Sequence, residues 1–281
     1  MEDAIVAMLN ALRGGATGNT GDLLLSPEQY NDALYNAAVT IHNAAVKPIT
    51  AIVLSIMFVI MLASTSTRVE GDRELGVRII AATMFKAVLV LVVAQNANLI
   101  LGGINDIATA IADTTNDVDV GTGAGSGMLL GAELHDDIAD AGMVQQLGML
   151  AILLIPFIVA EFGSVVAIVL IFVRFLQMYM MSAFASLPLA FFGHEDTKSI
   201  AIGYLKRYAT TALQGVMIII AVKMYQALVG GWLAGSVTYD GSTDMWNFVT
   251  SNFGNFVVAP AVLIFLLFGS NSLAKAVVGE G

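Results

Sequence analysis

The chain has 281 residues, of which 57% are apolar and only 12% are charged, and its mean hydropathy is +0.81. Soluble globular proteins carry about 25% charged residues, so this composition argues against an ordinary water-facing surface and against a soluble enzyme. The net charge of −10 disfavours a nucleic-acid-binding protein with a broad basic face, and the absence of cysteine excludes disulfide scaffolds and thiolate chemistry. We therefore predict an all-α, multi-span helical membrane protein.

Residues 1–45 are predicted to form extracellular amphipathic helices. The N-terminal sequence MEDAIVAMLNALRGG is acidic where a secretory signal is positive, so it predicts an amphipathic helix and not a cleaved signal. Ser26 is a typical N-cap, and Pro27 is a typical first helical residue. They predict the start of a longer helix that continues into the first span, at residues 46–63.

A second span is predicted at residues 77–101, in a helix that extends to residue 113. Residues 46–113 would thus form a transmembrane helix pair. Residues 114–142 are polar, acidic and glycine-rich, which is typical of an exposed loop. We expect this loop to be extracellular and to contain a short helix near its end.

The long apolar stretch at residues 143–192 leaves two alternatives. It forms either one span followed by a membrane-hugging segment, which gives five spans in all, or a hairpin that turns near Gly163-Ser164, which gives six. Further spans are predicted at residues 208–229 and 248–268. Residues 143–281 are therefore interpreted as a core with three transmembrane helices.

An interfacial segment is predicted within this core, at residues 175–207. Pro188 should break the helix there, and Gly193 permits a tight turn. Tyr179 and Tyr204 are expected to be exposed at the cytoplasmic headgroup boundary, beside a basic Lys-Arg pair.

The distribution of basic residues favours five spans, with the N-terminus outside and the C-terminus inside. Cytoplasmic loops are enriched in Lys and Arg. Five spans place most of the 12 basic residues on the inner side: Arg68, Arg73, Arg78, Arg174, Lys198, Lys206, Arg207 and Lys275. Six spans would move Lys198, Lys206 and Arg207 outside. The chain has no visible internal repeat, which disfavours an inverted-repeat transporter.

Conventional catalytic motifs are missing, since the sequence contains neither GxxxxGK[ST] nor HExxH. The glycine run at residues 121–127 lacks the lysine of a phosphate-binding loop. His194, Glu195 and Asp196 are interpreted as an interfacial turn, because adjacent residues rarely converge on one ion. We predict no catalytic residue, no cofactor and no metal site, and we do not expect an enzyme.

Three charged side chains fall within or at the end of apolar spans: Lys86, Glu161 and Arg174. Charges are costly in hydrocarbon and usually face a bundle interior or water, so each is a candidate functional residue. Lys86 and Glu161 have opposite signs. They are expected either to pair between helices or subunits or to line a pathway.

A polar face with small residues lies at the end of the second span. Asn98, Gly102, Asn105 and Thr109 recur every three to four residues, and on a helix they share one face. This face predicts either close helix packing through Gly102 or a lining that faces water.

The second half of the chain carries an ordered series of residues. Arg174 ends a long span, and Tyr179, Pro188 and Gly193 follow it. A segment with Tyr204 and Lys206 then enters an apolar helix, and the tail contains SLAK. That helix contains Gln214 and Gly215. In order and spacing this series, at about residues 143–279, resembles the core signature of the TrbL family, above all its shorter versions from Gram-positive conjugative elements.

The resemblance implies a polytopic subunit of a type IV secretion and conjugative transfer machine in the bacterial cytoplasmic membrane. Such a channel or scaffold subunit would form a homo-oligomer, a pentamer by resemblance, and contact membrane lipids. It would work with other secretion-system subunits, including cytoplasmic ATPases, and meet DNA or protein substrate in transit. The alternative function is a secondary transporter or ion-coupled permease, with Lys86 and Glu161 as the substrate or proton site.

An introduced cysteine tests the topology, because the chain contains no native cysteine. In the five-span arrangement residue 198 lies inside, so Lys198→Cys should react with a membrane-permeant maleimide but not with an impermeant one in intact cells. Asp117→Cys, in the loop predicted to be extracellular, is the positive control for labelling from outside. Labelling of Lys198→Cys by the impermeant reagent would contradict the arrangement.

Overall fold

The computed structural model describes residues 1–14, 21–66, 73–118, 135–235 and 244–280. Helix accounts for 93% of the structure, and no strand occurs in these ranges, which confirms the all-α prediction. The α-helices are α1 (Glu2–Gly14), α2 (Pro27–Tyr30), α3 (Asp32–Ile41), α4 (Lys47–Ser66), α5 (Arg73–Gln95), α6 (Ala97–Asp117), α7 (His135–Asp140), α8 (Met143–Phe184), α9 (Ser186–Leu189), α10 (Lys198–Gly235) and α11 (Met245–Val278). A π-helical turn at His42–Val46 joins α3 to α4.

Within the described ranges, five helical stretches are long and apolar enough to cross a membrane: Asp32–Ser66, Gly76–Gln95, Met143–Phe184, Lys198–Leu228 and Met245–Val278. Helix α8 runs unbroken through Gly163 and Ser164. The five-span prediction is therefore confirmed, and the hairpin of the six-span alternative is wrong. The orientation of the termini stays a prediction.

Local capping determines how the chain enters the first span. Ser26 and Gln29 form a capping box, in which each side-chain oxygen accepts a bond from the other residue's backbone N–H, at 3.3 and 3.0 Å. Asn31 is extended, and its side chain accepts a bond from Leu34 N that begins a second helix. The predicted start at Ser26 and Pro27 is confirmed, but the single long helix is wrong, because Asn31 caps a new one.

Helix α8 ends at Phe184, four residues before Pro188. Proline has no N–H to donate to the carbonyl four residues earlier, and its ring collides with that carbonyl. The helix break predicted at Pro188 is thus present, and the last residue of the helix is Phe184, whose carbonyl Pro188 cannot bond. The chain continues as the short helix α9 and a 3₁₀ turn at Ala190–Gly193.

The second apolar segment is helical through α5 and α6, with Asn96 between them. The predicted helical extension to residue 113 is confirmed and goes on to Asp117. Of the acidic loop at 114–142, residues 119–134, with their glycine run, lie outside the described residues. The short helix expected near the end of this loop is α7.

The chain divides into two compact units, each assembled from distant stretches of sequence. Unit 1 comprises Met1–Leu24, Ile111–Phe172 and Gly215–Leu273. Unit 2 comprises Leu25–Ala110, Val173–Gln214 and Ala274–Gly281.

Unit 1 has an apolar core that includes the N-terminal helix. Ile5, Leu9 and Leu12 lie on one face of α1 and are at most 5% exposed. They belong to one buried cluster with residues of α7, α8 and α11: Ile138, Met149, Leu153, Ala160, Met245, Phe248, Val249 and Phe256. The amphipathic helix predicted at the N-terminus is present, and protein covers its apolar face.

Two polar side chains of α10 complete the packing of unit 1. The Tyr225 hydroxyl donates to Leu12 O at 2.7 Å, beside the end of α1. Lys223 Nζ donates to Asn116 O at 2.6 Å and to Val118 O at 3.3 Å. These carbonyls end α6, where a cation stabilises the unpaired C=O groups and the negative end of the helix dipole.

Two glycines in unit 1 let helices approach closely. A Cβ built at Gly148 would collide with the ring of Trp246, and one at Gly163 would lie 3.3 Å from Ile264 Cγ1. Gly254, by contrast, has no heavy atom within 4 Å of such a Cβ among the described residues.

Gly148→Ala is predicted to destabilise the protein, because the Trp246 ring must move to admit the methyl group. Overpacking of this kind costs about 1–3 kcal/mol. Gly254→Ala is the matched control, and it should be neutral or stabilising by up to about 1 kcal/mol, since alanine favours helix over glycine. Thermal unfolding of both variants in detergent micelles measures the difference. Equal midpoints for the two would contradict close packing at Gly148.

Candidate functional site

The helix break in unit 2 leaves carbonyl groups at the end of α8 that side chains satisfy. The Tyr204 hydroxyl donates to Met181 O at 2.6 Å. His42 Nδ1 lies 3.3 Å from Ala183 O, so this nitrogen carries the proton. Without these donors the freed carbonyls would be left unpaired at a cost of about 1–3 kcal/mol each.

The segment after the break packs against α4 and α5. Thr50 and Ser186 share a hydrogen bond of 2.8 Å between their hydroxyl groups. A Cβ at Gly193 would lie 2.7 Å from Met61 Sδ and 3.8 Å from Val90 Cγ2. Gly193 does not have positive φ. The 3₁₀ turn at Ala190–Gly193 ends at this glycine, so a turn is present where it was predicted, and the missing side chain also permits close approach to Met61.

Tyr179 joins α8 to the start of the first span. Its hydroxyl donates to Pro27 O at 2.6 Å, and the residue is 4% exposed. One turn earlier, Phe175 stacks on Tyr30 with ring centroids 3.9 Å apart. The prediction that Tyr179 is exposed is therefore wrong, because its hydroxyl bonds to Pro27 O and the residue is buried. Tyr204 is half-buried rather than exposed.

Arg174 is buried within α8 and does not end the helix. It is 2% exposed, its Nε donates to Thr211 O at 3.2 Å, and its Cζ lies 4.8 Å from the Phe175 ring centroid. One terminal nitrogen, NH1, has no partner in the part of the chain that the structure describes. A buried guanidinium with one unmet donor is suited to holding α8 against α10 and to binding water or an anion.

Unit 2 also contains a polar cavity of about 140 Å³. Five helices of unit 2 contribute to its wall: the start of α2, α3 through Tyr35, the first turns of α6, α8 through Ser182 and α10 through Tyr208. The lining residues are Ser26, Pro27, Glu28, Tyr35, Asn98, Leu101, Gly102, Asn105, Asp106, Ser182 and Tyr208.

The polar face predicted on the second span contributes to this wall. Asn98, Gly102 and Asn105 line the cavity, whereas Thr109 is not part of it. A Cβ at Gly102 would meet no heavy atom within 4 Å among the described residues. No helix of the described residues packs closely on Gly102, which favours the alternative of a lining that faces water.

Several polar atoms on this face lack hydrogen bonds in the described structure: Asn98 Oδ1, Asn105 Oδ1 and Thr109 Oγ1. Buried polar groups normally have partners in protein or ordered water. A cavity of 140 Å³ has room for about five water molecules at about 30 Å³ each. It is therefore large enough for water or another ligand to bond to the Asn98 and Asn105 oxygens.

The two mid-span charges lie in different units. Lys86 Nζ lies 3.4 Å from Glu195 Oε1 in unit 2, with the side chains 46% and 76% exposed. The sequence analysis assigned Glu195 only to a turn. Glu161, in unit 1, is exposed on α8. Pairing of Lys86 with Glu161 stays a prediction.

The end of α11 forms a second polar cluster, on α10. Gly279 has φ +68° and its N–H bonds to Ala276 O, while Glu280 N bonds to Lys275 O, which is a Schellman motif. The motif orients Glu280 towards Thr210.

Side chains of α10 hold this terminus in place. Glu280 accepts a 2.7 Å bond from the Thr210 hydroxyl and lies 3.4 Å from Arg207 NH1, while Lys206 Nζ donates to Gly279 O at 2.9 Å. Further along α10, Gln214 and Gly215 are buried. The predicted motif residues of α10 therefore face protein.

A sequence model of the TrbL/VirB6 plasmid conjugal transfer like protein family matches residues 16–186, which is more than half of the chain. The chain belongs to this family. No curated protein is significantly similar to it in sequence.

The TrbL/VirB6 family match has a different range from the resemblance at residues 143–279. It includes Arg174 and Tyr179 but ends before Pro188. It also spans Lys86 and the acidic loop, which the resemblance left unassigned. The family match of this TrbL/VirB6-family protein therefore includes the first two spans and all of α8.

The sequence analysis missed most of the residues that line the cavity, among them Glu28, Asp106, Ser182 and Tyr208. Asp106 adjoins the predicted polar face, and its position after Asn105 was a usable signal. The other three come from separate helices. No local pattern brings them together, because their proximity depends on the break in α8 and on the packing of α2.

Glu280 gives this TrbL/VirB6-family protein a predicted pH dependence. The Thr210 hydroxyl and then Arg207 stabilise the carboxylate and hold the pKa of Glu280 below its ordinary value. The stabilisation is therefore present above the ordinary pKa and is lost as the pH falls through the lower, folded value. The unfolding midpoint of the wild type should exceed that of Glu280→Gln near neutral pH, and the gap should close in acid.

Thermal unfolding of both proteins over a pH series measures this gap. Thr210→Val removes the hydroxyl that donates to Glu280, so in this background Glu280→Gln should lower the midpoint less at neutral pH. The whole difference in midpoint should be modest, since the ion pair of Glu280 with Arg207 is partly exposed to solvent, with the Arg207 side chain 47% exposed. A gap that stays constant from neutral to acid pH would be inconsistent with the assigned contact.

Proposed function

We propose that this protein is a channel or scaffold subunit in the cytoplasmic-membrane platform of a conjugative type IV secretion system, where it takes part in DNA or protein transfer. The family match over residues 16–186, in a chain with five span-capable helices, carries the proposal. Conjugal transfer needs an energy source, and the chain has no P-loop motif of its own. Cytoplasmic ATPases are therefore the proposed motors.

The basic segment that begins α10 is the proposed inner contact surface. Lys198 is exposed, and Lys206 and Arg207 anchor the end of α11. A locally basic surface can meet ATPases or nucleic acid although the whole chain is acidic. On the opposite side, the acidic loop at 114–142 is proposed to meet a partner outside the membrane.

A homo-oligomer is proposed from the exposed face of α8 in unit 1. Ile158, Phe162 and Val165 are each more than half exposed, and Glu161 is exposed among them. A carboxylate that faces lipid is costly, which supports cover by a second copy of the chain. Lys86 of that copy is a candidate partner of opposite charge.

A conjugation assay tests the proposed function. Deletion of the gene from the donor should reduce transfer to the background of a donor without the machinery, and the wild-type gene should restore it. Arg174→Gln should restore little transfer, because it removes a buried charge and the bond to Thr211 O. Lys47→Gln is the matched control, since it removes one charge from an exposed position and should restore transfer fully.

Immunoblots of membrane fractions must give equal levels of the two variants. Undiminished transfer from the deletion donor would overturn the proposal. Normal transfer combined with loss of uptake of a particular solute would instead support the transporter alternative. Affinity purification in mild detergent tests the assembly, for which a ring-shaped homo-oligomer with bound ATPases is expected.

A further inference from the structure

The wall of the cavity in unit 2 is acidic and rich in oxygen atoms. Its charged lining residues are Glu28 and Asp106, and no Lys, Arg or His is among the described residues that line it. Both acidic residues are exposed, so they belong to the accessible part of the wall. Tyr35, Ser182 and Tyr208, which carry hydroxyl groups, line the same wall.

The deeper part of the wall carries an oxygen atom with an unmet bond. Asn105 is 2% exposed, and its Oδ1 has no hydrogen-bond partner among the described residues. Asn98, two turns earlier on α6, also has an unpartnered Oδ1. A cation, which accepts electron density from oxygen lone pairs, would give both amide oxygens the partner that they lack. The acidic wall favours a positively charged ligand over a neutral one.

We propose that this cavity binds a hard cation through oxygen ligands. Such cations are coordinated by carboxylate, amide carbonyl, hydroxyl and water oxygens. Asp106 and Glu28 supply the negative charge, and Asn105 and Asn98 supply neutral oxygens that need no deprotonation. The volume of about 140 Å³ admits the ion together with part of its hydration shell.

The bound cation would join the start of α2 to the first turns of α6 and to the wall positions on α8 and α10. It would compensate the two carboxylates of a wall whose described lining contains no basic residue. This site is independent of the proposed function, because its ligands and its test concern the purified protein alone. Na⁺, K⁺, Mg²⁺ and Ca²⁺ share the required chemistry, and the test separates them.

Thermal unfolding of the full chain in detergent measures the binding. The protein is first stripped with a chelator into N-methylglucamine chloride, and NaCl, KCl, MgCl₂ or CaCl₂ is then titrated at constant ionic strength. One of these salts should raise the unfolding midpoint saturably, by about 5–10 °C when the cation exceeds its Kd a hundredfold. If none exceeds N-methylglucamine, the cavity holds water alone and the proposal is overturned.

A pair of charge variants on the same helix assigns the effect to the cavity. Asp106→Asn removes an exposed lining carboxylate, so it should fold, and it should weaken cation binding by about tenfold or more. Asp113→Asn removes an exposed carboxylate two turns further along α6, outside the cavity wall, and should leave the midpoint shift unchanged. An equal response of both variants would show that the cation acts on surface charge in general, and it would also overturn the proposal.

Discussion

Unit 2 depends on how the protein satisfies the backbone where α8 stops. Pro188 prevents the helix from continuing past Phe184 and leaves carbonyls without their helical donors. In an apolar environment such groups cannot turn to water, so other parts of the chain must supply hydrogen bonds. Tyr204 and His42 donate to Met181 O and Ala183 O. The break thereby fixes both the first span and α10 to the end of α8.

The same requirement explains why polar residues concentrate in unit 2. Irregular backbone needs hydrogen-bond donors and acceptors from side chains. Two further contacts lie near the end of α8: the hydrogen bond between the Thr50 and Ser186 hydroxyls, and the bond from the Tyr179 hydroxyl to Pro27 O. Unit 1 follows a different physical rule. Its helices pack through an apolar cluster and through the close approach permitted at Gly148. The polar contacts that it does use, from Tyr225 and Lys223, cap helix ends.

The sequence was sufficient for the features that depend on local patterns. Apolar stretches of span length predicted five membrane-crossing helices, because the length of such a helix is set by the bilayer and not by neighbours. Ser26 predicted a helix start, since its cap is made within four residues. Asn31 was missed although its cap is equally local, because the apolar pattern beyond it favoured one long helix.

Other features could not be predicted because they depend on distant contacts. Tyr179 was predicted to be an interfacial tyrosine, yet its hydroxyl donates a hydrogen bond to Pro27 O, more than a hundred residues earlier. Gly193 was predicted as a turn residue and ends a 3₁₀ turn, but its close approach to Met61 depends on a distant helix. Lys86 was considered with Glu161 because both lie in spans, whereas Glu195 was assigned to a turn. Residue type selected these candidates, and tertiary packing decided their contacts.

The cavity and the helix break are parts of one structure. Ser182 lines the cavity, and its neighbours Met181 and Ala183 are the residues whose carbonyls need outside donors. The Ser182 carbonyl itself accepts from Ala185 N, in the tightened last turn of α8. The turn of helix that the break releases therefore forms part of the cavity wall. All lining residues except Tyr208 fall within the range that the family model matches. Tyr208 reaches the cavity from α10, so the wall joins residues inside the matched range to the helix that follows it.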